Sequence, residues 1–363
     1  MGLVRALLIS NPNSTSITES LTRTVVTQLR GVPGLHLRSV FTGHPGHATA
    51  IVTGLTRDEC DVVVCMGGDG TVNEVVNGLL GASPDGRPVR DADEIPAIAV
   101  IPSGSANVLA GALGLPRDPK LAARVIADLL RSGEDRAISV GRAAGRWFVV
   151  NAGLGVDAEV ISHMEDLRAG GVSANPLRYV PTGLGAWNRM RTNPPRITAH
   201  ADGELLGEDL PMAVVSNSNP WTFLGDLAVV TNPNTKLSGG LGFYGLTSIH
   251  GPKGMVAALR LAGAGQALWR LLKVEERELR DDDVDVVTLT SPEPLKFQID
   301  GEYVDERSEL EITCARDAVR FIAPAETREY GEDVGDKAWY LRLGAMLDRR
   351  IRALSLPRRG GRR

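Results

Sequence analysis

The sequence has little of what marks disulfide scaffolds or nucleic-acid-binding proteins. Its three cysteines, Cys60, Cys65 and Cys314, are scattered and show no spacing typical of a metal site. We therefore expect no disulfide framework and a reducing compartment. Aromatic residues make up only 4% and the formal net charge is −4. Both values argue against a surface that stacks bases or attracts nucleic acid.

Long apolar runs are also lacking. The apolar segment at the N-terminus, MGLVRALLISNPNSTS, is too short for a signal peptide, and no small-residue cleavage site follows it. No uninterrupted apolar stretch is long enough to span a bilayer. We expect a cytoplasmic protein whose contact with a membrane is peripheral, at the inner face.

The pattern of elements changes near residue 137. Before it, apolar strands alternate with amphipathic helices, which predicts a parallel sheet covered by helices on both faces. After it, short strand segments separated by Gly, Pro and Asn predict a β-rich region. The sequence thus predicts three parts: an α/β domain (1–137), a β-rich domain (138–325), and a C-terminal helix with a basic tail (326–363).

Helix starts are predicted from capping residues. Ser16 to Glu19 and Thr71 to Glu74 both fit a capping box. Asp118 with Pro119 predicts a third helix over 119–132. A helical insert is predicted at 254–272.

The segment at 62–80, VVVCMGGDGTVNEVVNGLL, is the most informative. Asp-Gly is a strong hairpin signal, but a hairpin needs a second strand, and a helical pattern follows instead. The glycines at 67, 68 and 70 therefore stand where a buried strand meets a helix N-terminus. Such a place favours an anion, and glycine lets the backbone approach phosphates closely.

The glycine segment is neither a Walker A loop nor a GxGxxG dinucleotide motif. A carboxylate beside phosphates is repulsive unless Mg²⁺ intervenes, so Asp69 indicates a metal–nucleotide site. Two further polar loops, NPNSTS after the first strand and PSGSAN after the strand at 97–101, end at the same edge of the predicted sheet. Ligands of open α/β sheets bind at that edge.

These motifs resemble the diacylglycerol kinase catalytic-domain family, which includes bacterial soluble lipid kinases, sphingosine kinases and ceramide kinases. The resemblance rests on NPNSTS, TGHPGHA, GGDGTVNEVVNGLL, IPSGSANVLA, NAGLGVDAEV and FQIDGEYV, which occur in this order, and it covers about residues 3 to 325. It implies a phosphofructokinase-like three-layer α/β domain followed by a β-sandwich domain, with the active site between them.

The resemblance also implies a set of site residues. Those implied to bind ATP are Asn11, Pro12, Asn13, Ser14, Thr15, Thr42, Gly67, Gly68, Asp69, Gly70, Thr71, Val72, Asn73 and Ser105, with Asn107 as a loop support. Asp69 is implied to organise Mg²⁺. Glu302 or Asp300 is implied to be the base that takes the proton of a lipid hydroxyl, and Asp69 stays a rival because sphingosine-type members use that position.

Some features are left open. Ser238 stands where bacterial members often have an aspartate linked to a structural Mg²⁺, so a second metal is doubtful. Asp157 fits either a substrate-side residue or a surface turn. Trp221 and Phe223 fit either a lipid entrance or core packing. The arginine-rich tail fits either an anionic membrane surface or a solvated segment, and homodimer formation is undecided.

The sequence therefore predicts an ATP- and Mg²⁺-dependent lipid kinase, with diacylglycerol as the first choice of membrane lipid substrate. A sphingosine-type or other lipid-alcohol kinase is the first alternative. An NAD kinase, which shares Gly-Gly-Asp-Gly-Thr, and a non-catalytic nucleotide- or lipid-binding protein follow.

Overall fold

A computed structural model describes most of the chain up to residue 325. The described residues are 3–12, 14, 16–82, 85–155, 158, 193–224, 227–261 and 272–325. Asn13, Thr15, Asp157 and the predicted tail at 326–363 lie outside the described residues, as does part of the predicted helical insert.

The first part of the chain alternates strands and helices as predicted. Its elements are β1 (Val4–Ser10), α1 (Glu19–Arg30), β2 (Leu35–Phe41), α2 (His47–Val52), β3 (Val62–Gly67), α3 (Asp69–Leu80), β4 (Ala97–Pro102), α4 (Val108–Ala112) and α5 (Pro119–Ser132). The four strands are parallel, in the order β2-β1-β3-β4.

Helices cover both faces of this parallel sheet. Every residue of β3 and of β4 is buried, which requires packing on both faces. α1 packs against α5, and α2 packs against α3. The predicted apolar stripe of α3 is buried throughout, at Val72, Val75, Val76, Leu79 and Leu80.

The structure confirms one of the three predicted helix N-caps and corrects the other two. The predicted start at Asp118 and Pro119 is confirmed, because the Asp118 carboxylate accepts the amides of Lys120 and Leu121. The N-cap of α1 is Thr18 rather than Ser16. α3 begins at Asp69 rather than after Thr71, because Gly68 supplies the non-helical N-cap conformation three residues earlier than the capping-box pattern indicated.

The second part of the chain is β-rich, as predicted. Its elements are β5 (Arg136–Ala143), β6 (Arg146–Phe148), β7 (Asn151–Gly155), β8 (Ile197–Ala201), β9 (Glu204–Leu210), β10 (Met212–Ser216), β11 (Thr222–Leu224), β12 (Leu227–Val229), β13 (Leu241–Leu246), α6 (Gly251–Leu261), a 3₁₀ helix (Val274–Arg277), β14 (Glu278–Val284), β15 (Val286–Ile299) and β16 (Glu302–Phe321).

The C-terminal strands are longer than the sequence pattern predicted. The separate strands expected between 284 and 323 are two long antiparallel strands, β15 and β16, with register shifts where polar residues interrupt the alternation. The charged strand β14, ELRDDDV, has almost no apolar alternation and was not predicted. Within the described residues, β16 also pairs with β4, at Phe321 and Ile98, so both parts share one sheet.

The predicted fold class, an α/β domain followed by a β domain, is thus confirmed. The two parts also have separate buried clusters, one around β3 and β4 and one around β7, β10 and β15. The boundaries at residues 137 and 325 stay a prediction. Among the described helices, none has both the length and the apolarity needed to cross a bilayer.

Candidate functional site

Three polar loops meet at the carboxyl edge of the parallel sheet. The amide of Asn11 donates to the carbonyl of Met66 (3.1 Å), and the amide of Ser103 donates to the carbonyl of Gly67 (2.9 Å). The hydroxyl of Ser14 donates to the carbonyl of Ser103 (2.7 Å). The loops after β1, β3 and β4 therefore form one crevice, as the sequence predicted.

Two of these loops touch through their glycine backbones. A Cβ atom added to Gly104 would lie 2.6 Å from the Cα of Gly68, and one added to Gly68 would lie 3.2 Å from the Cα of Gly104. A Cβ on Gly67 would meet the hydroxyl of Thr71 at 2.5 Å. Side chains at positions 68 and 104 would separate the two loops, so glycine at these two positions allows a close approach of two backbones.

The N-terminus of α3 opens into this crevice. Its N-cap is Gly68, and no side chain caps it. No side-chain capping oxygen therefore balances the positive end of the helix dipole. A helix N-terminus of this kind favours a bound anion. Thr71 and Val72 are buried behind it, and their amides both donate to the carbonyl of Gly68.

Asp69 holds the neighbouring loop in place. Its carboxylate accepts the amide of Val108 at 3.0 Å and the amide of Leu109 at 3.1 Å, and so caps α4. Burial raises the pKa of the Asp69 carboxyl above its ordinary value, while the two amides and the charge of Arg117 oppose that rise. Each carboxylate oxygen keeps a lone pair beyond these bonds.

Asn107 closes the loop after β4 on itself. Its side-chain oxygen accepts the amide of Gly104 (2.9 Å) and its side-chain nitrogen donates to the carbonyl of the same residue (2.8 Å). Its left-handed backbone conformation, with φ 49°, makes this turn. Ser105 lies exposed at the tip of the loop.

The remaining residues implied to bind ATP lie along the same edge. Asn11 is partly buried and Pro12 is exposed in the loop after β1. Thr42 is buried at the end of β2, and its amide donates to the carbonyl of Ser10 (2.9 Å).

Asp300 ties the β-rich region to α3. Its carboxylate accepts the backbone amides of Val149 (3.0 Å), Val150 (2.8 Å) and Asn151 (3.0 Å). It also accepts the side-chain amide of Asn73 (2.8 Å). These four donors occupy the roughly four lone-pair sites that a carboxylate offers. Burial raises the pKa of the Asp300 carboxyl to about 6, against the effect of its four donors.

Asn73 is the residue of α3 that makes this contact with Asp300. It is only 3% exposed, and its side-chain amide also donates to the carbonyl of Trp147 (2.8 Å). Asn77, one turn later, donates to the side-chain oxygen of Asn73 and accepts the amide of Trp147. The Asn73 side chain thus contacts the β-rich region, although the resemblance implied a role for it in nucleotide binding.

Glu302 reaches the glycine segment from the second part of the chain. A Cβ atom added to Gly70 would lie 3.0 Å from Oε1 of Glu302. The other carboxylate oxygen lies 3.2 Å from the guanidinium of Arg146, and the Glu302 side chain is 51% exposed. The structure therefore brings a carboxylate from β16 next to the N-terminus of α3.

The carboxylates near Asp69 bear on its predicted role in holding Mg²⁺. Within the described residues, no group of three or more His, Cys, Asp or Glu side chains could hold a metal ion. Mg²⁺ in phosphate sites is typically held by one or two carboxylates together with the substrate phosphates. Asp69 fits a role of that kind, because its oxygens keep lone pairs at the helix N-terminus, and the role stays a prediction.

Sequence reasoning missed three residues that shape the site. Arg146 pairs with Glu302. Arg117 donates to the carbonyl of Ala106 (2.9 Å), and its guanidinium lies 4.5 Å from the centre of the buried Phe223 ring. Glu74 accepts the amides of Gly46 and Ala48. No local pattern indicates these contacts, because each joins residues far apart in the chain.

Comparison with known protein families confirms the resemblance found in the sequence. Residues 5–143 match the family model described as the diacylglycerol kinase catalytic domain. This range contains the three polar loops, whereas Asp300 and Glu302 lie beyond it.

Individual relatives extend the match. The diacylglycerol kinase of Bacillus subtilis is 31% identical over 219 residues, which cover 59% of this chain and 65% of that protein. The chain therefore spans just under two thirds of that relative's length. Sphingosine kinase 2 of Homo sapiens is 40% identical over 80 residues, which cover 22% of this chain and 12% of that protein.

A solved structure supports the fold. The crystal structure of a diacylglycerol kinase from Bacillus anthracis superposes with a TM-score of 0.62 at 19% identity. The superposition covers 88% of this chain and 97% of that one. The likeness therefore includes the β-rich region, of which the family model covers only the first strand, β5.

Proposed function

We propose that this protein is an ATP-dependent lipid kinase, because residues 5–143 match the family model of the diacylglycerol kinase catalytic domain. The observation that carries the proposal is the position of Glu302 beside Gly70. It places a carboxylate able to take a proton next to a glycine-lined helix N-terminus able to hold a phosphate. A phosphoryl transfer to an alcohol needs both groups in one place.

In this proposal the crevice holds the phosphates of ATP. The open N-terminus of α3 offers backbone N–H groups and the positive end of its dipole. The close pair Gly68 and Gly104 leaves the contact between the two loops free of side chains. Mg²⁺ would arrive with the nucleotide and neutralise phosphate charge, and Asp69 would hold it there.

Glu302 is the residue we propose as the base. A base needs a free lone pair within reach of the hydroxyl proton. Asp300 has its four acceptor positions filled by N–H donors, whereas the Glu302 side chain is half exposed and faces Gly70. Asp300 then acts as a positioning residue, because it fixes the turn that carries Glu302.

Diacylglycerol is the lipid we propose first. The relative from Bacillus subtilis carries the name diacylglycerol kinase and matches over 219 residues. The sphingosine kinase relative matches over 80 residues, so a sphingoid base is the second candidate. The lipid would enter from the β-rich region, since that region supplies Glu302, and the product would be a phosphate monoester such as phosphatidic acid.

A substrate panel tests the proposed function. The purified protein is incubated with Mg²⁺ and ATP labelled at the γ-phosphate, with diacylglycerol, sphingosine, ceramide, monoacylglycerol or NAD in mixed micelles. We expect label in diacylglycerol. Label only in another lipid would change the substrate, and label only in NAD would replace the lipid kinase with an NAD kinase. ATP binding without any transfer would support a non-catalytic protein.

The role of Glu302 has its own test. The variant Glu302→Gln keeps the shape of the side chain but cannot take the proton, so we expect kcat to fall by about 100-fold or more. The control is Glu306→Gln, an exposed glutamate on the same strand, which should keep wild-type kcat. If Glu302→Gln keeps more than a tenth of the wild-type kcat, another group is the base.

A further inference from the structure

Phe41 stands out among the exposed side chains. It is 58% exposed at the last position of β2. In the part of the chain that the structure describes, it is the one aromatic residue among the exposed large hydrophobic side chains. Single exposed apolar residues are common and need no explanation by themselves. The position of Phe41 relative to the crevice is what gives it significance.

The strand register places Phe41 in line with the glycine segment. Phe41 pairs with Ser10, and Ser10 pairs with Met66, the residue before Gly67. Residues in register on parallel strands lie side by side and point to the same face of the sheet. Phe41 therefore lies two strand spacings, about 10 Å, from the point where β3 turns into the phosphate crevice.

The loop after Phe41 is held by the helix that starts at that crevice. Glu74 of α3 accepts the amide of Gly46 at 2.8 Å and the amide of Ala48 at 3.0 Å. The rings of His44 and His47 stack with their centres 4.9 Å apart. Phe41 is thus the last strand residue before a fixed loop, and its position relative to α3 is defined.

The direction of phosphoryl transfer shows what reaches Phe41. The acceptor and the leaving group lie on opposite sides of the transferred phosphorus. Glu302 marks the acceptor side, and it comes from the β-rich region. That region joins the parallel sheet beyond β4, through Phe321 at the far end of β16, in the order β16-β4-β3-β1-β2. In this strand order β1 and β2 lie on the side of β3 away from the β-rich region, so a nucleotide that leaves away from that region extends across β1 towards β2. Phe41 is the last residue of β2, the strand that ends the sheet on that side.

We propose that Phe41 is the platform on which the adenine base of bound ATP stacks. This inference rests on the proposed function and adds a residue that recognises the base rather than the phosphates. The π-face of a phenylalanine stacks on any purine, and such stacking contributes substantially to binding in sites that hold single bases. No proton or bond changes partners at Phe41, so its effect is on binding alone.

The test compares two ligands that share phosphates and differ in the base. The affinities of ATP and of inorganic tripolyphosphate, each with Mg²⁺, are measured by calorimetry for wild type, Phe41→Ala and Phe41→Tyr. We expect Phe41→Ala to weaken ATP binding about tenfold and to leave tripolyphosphate binding within about twofold of wild type. Phe41→Tyr keeps the ring and should bind ATP as wild type does. The control Leu205→Ala removes another exposed apolar side chain, 54% exposed on β9, and should change neither affinity.

The outcomes separate this inference from the proposed function. If wild type binds ATP and transfers phosphate but Phe41→Ala binds ATP equally well, the adenine platform is wrong and the kinase stands. If Phe41→Ala weakens ATP and tripolyphosphate equally, Phe41 shapes the crevice and does not hold the base, which also overturns the inference. If wild type binds no ATP, the proposed function fails first and the platform fails with it.

Discussion

The buried pair of Asn73 and Asp300 allows a sharp prediction about stability and pH. The variant Asn73→Asp replaces one nitrogen by oxygen without changing the side-chain shape. It would place a second carboxylate 2.8 Å from Oδ2 of Asp300, at a position that is 3% exposed. Two carboxylates in such a site cannot both ionise, so the folded protein must retain a proton that the unfolded chain releases.

The size of the effect follows from the retained proton. An ordinary aspartate has a pKa of about 3.9. If the folded protein keeps the proton, the free energy of unfolding falls by about 1.4 kcal/mol for each pH unit above that value. Burial already raises the pKa of Asp300 to about 6, and a second carboxylate raises the pKa of the pair further. We therefore expect Asn73→Asp to lower the free energy of unfolding by about 4 kcal/mol at pH 7.

The sign of the pH dependence is fixed by the same argument. A pair whose folded pKa lies above its unfolded value destabilises the protein more as the pH rises. The deficit of Asn73→Asp should therefore shrink by about 1.4 kcal/mol for each unit as the pH falls from 7 towards 5. Urea denaturation followed by circular dichroism at pH 5, 6, 7 and 8 measures this deficit.

A matched control isolates the role of burial. Asn234 also donates its side-chain amide to an aspartate, Oδ2 of Asp282 at 3.4 Å, but it is exposed. Asn234→Asp should cost less than about 1 kcal/mol, because water screens exposed charges. The reasoning would be refuted if both variants lost the same stability, or if the Asn73→Asp deficit did not change with pH.

Two further predictions concern the crevice. Gly104→Ala would put a methyl group 2.6 Å from the Cα of Gly68. Because neither backbone can move away freely, we expect ATP binding to weaken about tenfold. Unchanged ATP affinity in calorimetry would show that the two loops are not packed as described. Asp69→Asn keeps one acceptor for the amides of Val108 and Leu109, so we expect a loss of about 1 kcal/mol in unfolding free energy but a fall in kcat of about 100-fold. Near-wild-type turnover in that variant would remove Asp69 from the reaction.

The sequence predicted much of the first half of the fold. The predicted bounds of α5, 119–132, match the structure, because a helix-capping residue and 3.6-residue periodicity indicate a helix locally. The order of strands and helices also predicted that the loops after β1, β3 and β4 share one edge. The exact helix starts were less predictable, since Thr18 and Gly68 compete with equally suitable neighbours for the N-cap.

The β-rich half was harder to predict. The charged strand β14 pairs with β13 although its own residues carry little strand pattern. The strands β15 and β16 continue through polar residues because pairing with each other and with β7, β8 and β5 stabilises them. Such pairing partners are remote in sequence, so no local window contains the information.

By itself, the sequence determined which residue types are available for chemistry. Several groups can be read directly from the sequence: the glycines of 67–70, the carboxylate of Asp69 and the Asp-Gly-Glu segment at 300–302. Only the tertiary structure decided what each carboxylate contacts. Asp300 and Glu302 are two residues apart in the sequence. The Asp300 carboxylate accepts hydrogen bonds from four N–H donors, whereas the Glu302 carboxylate faces Gly70, 232 positions earlier in the numbering. The physical reason is that a side chain's hydrogen-bond partners depend on which distant elements pack beside it, and local periodicity does not encode that.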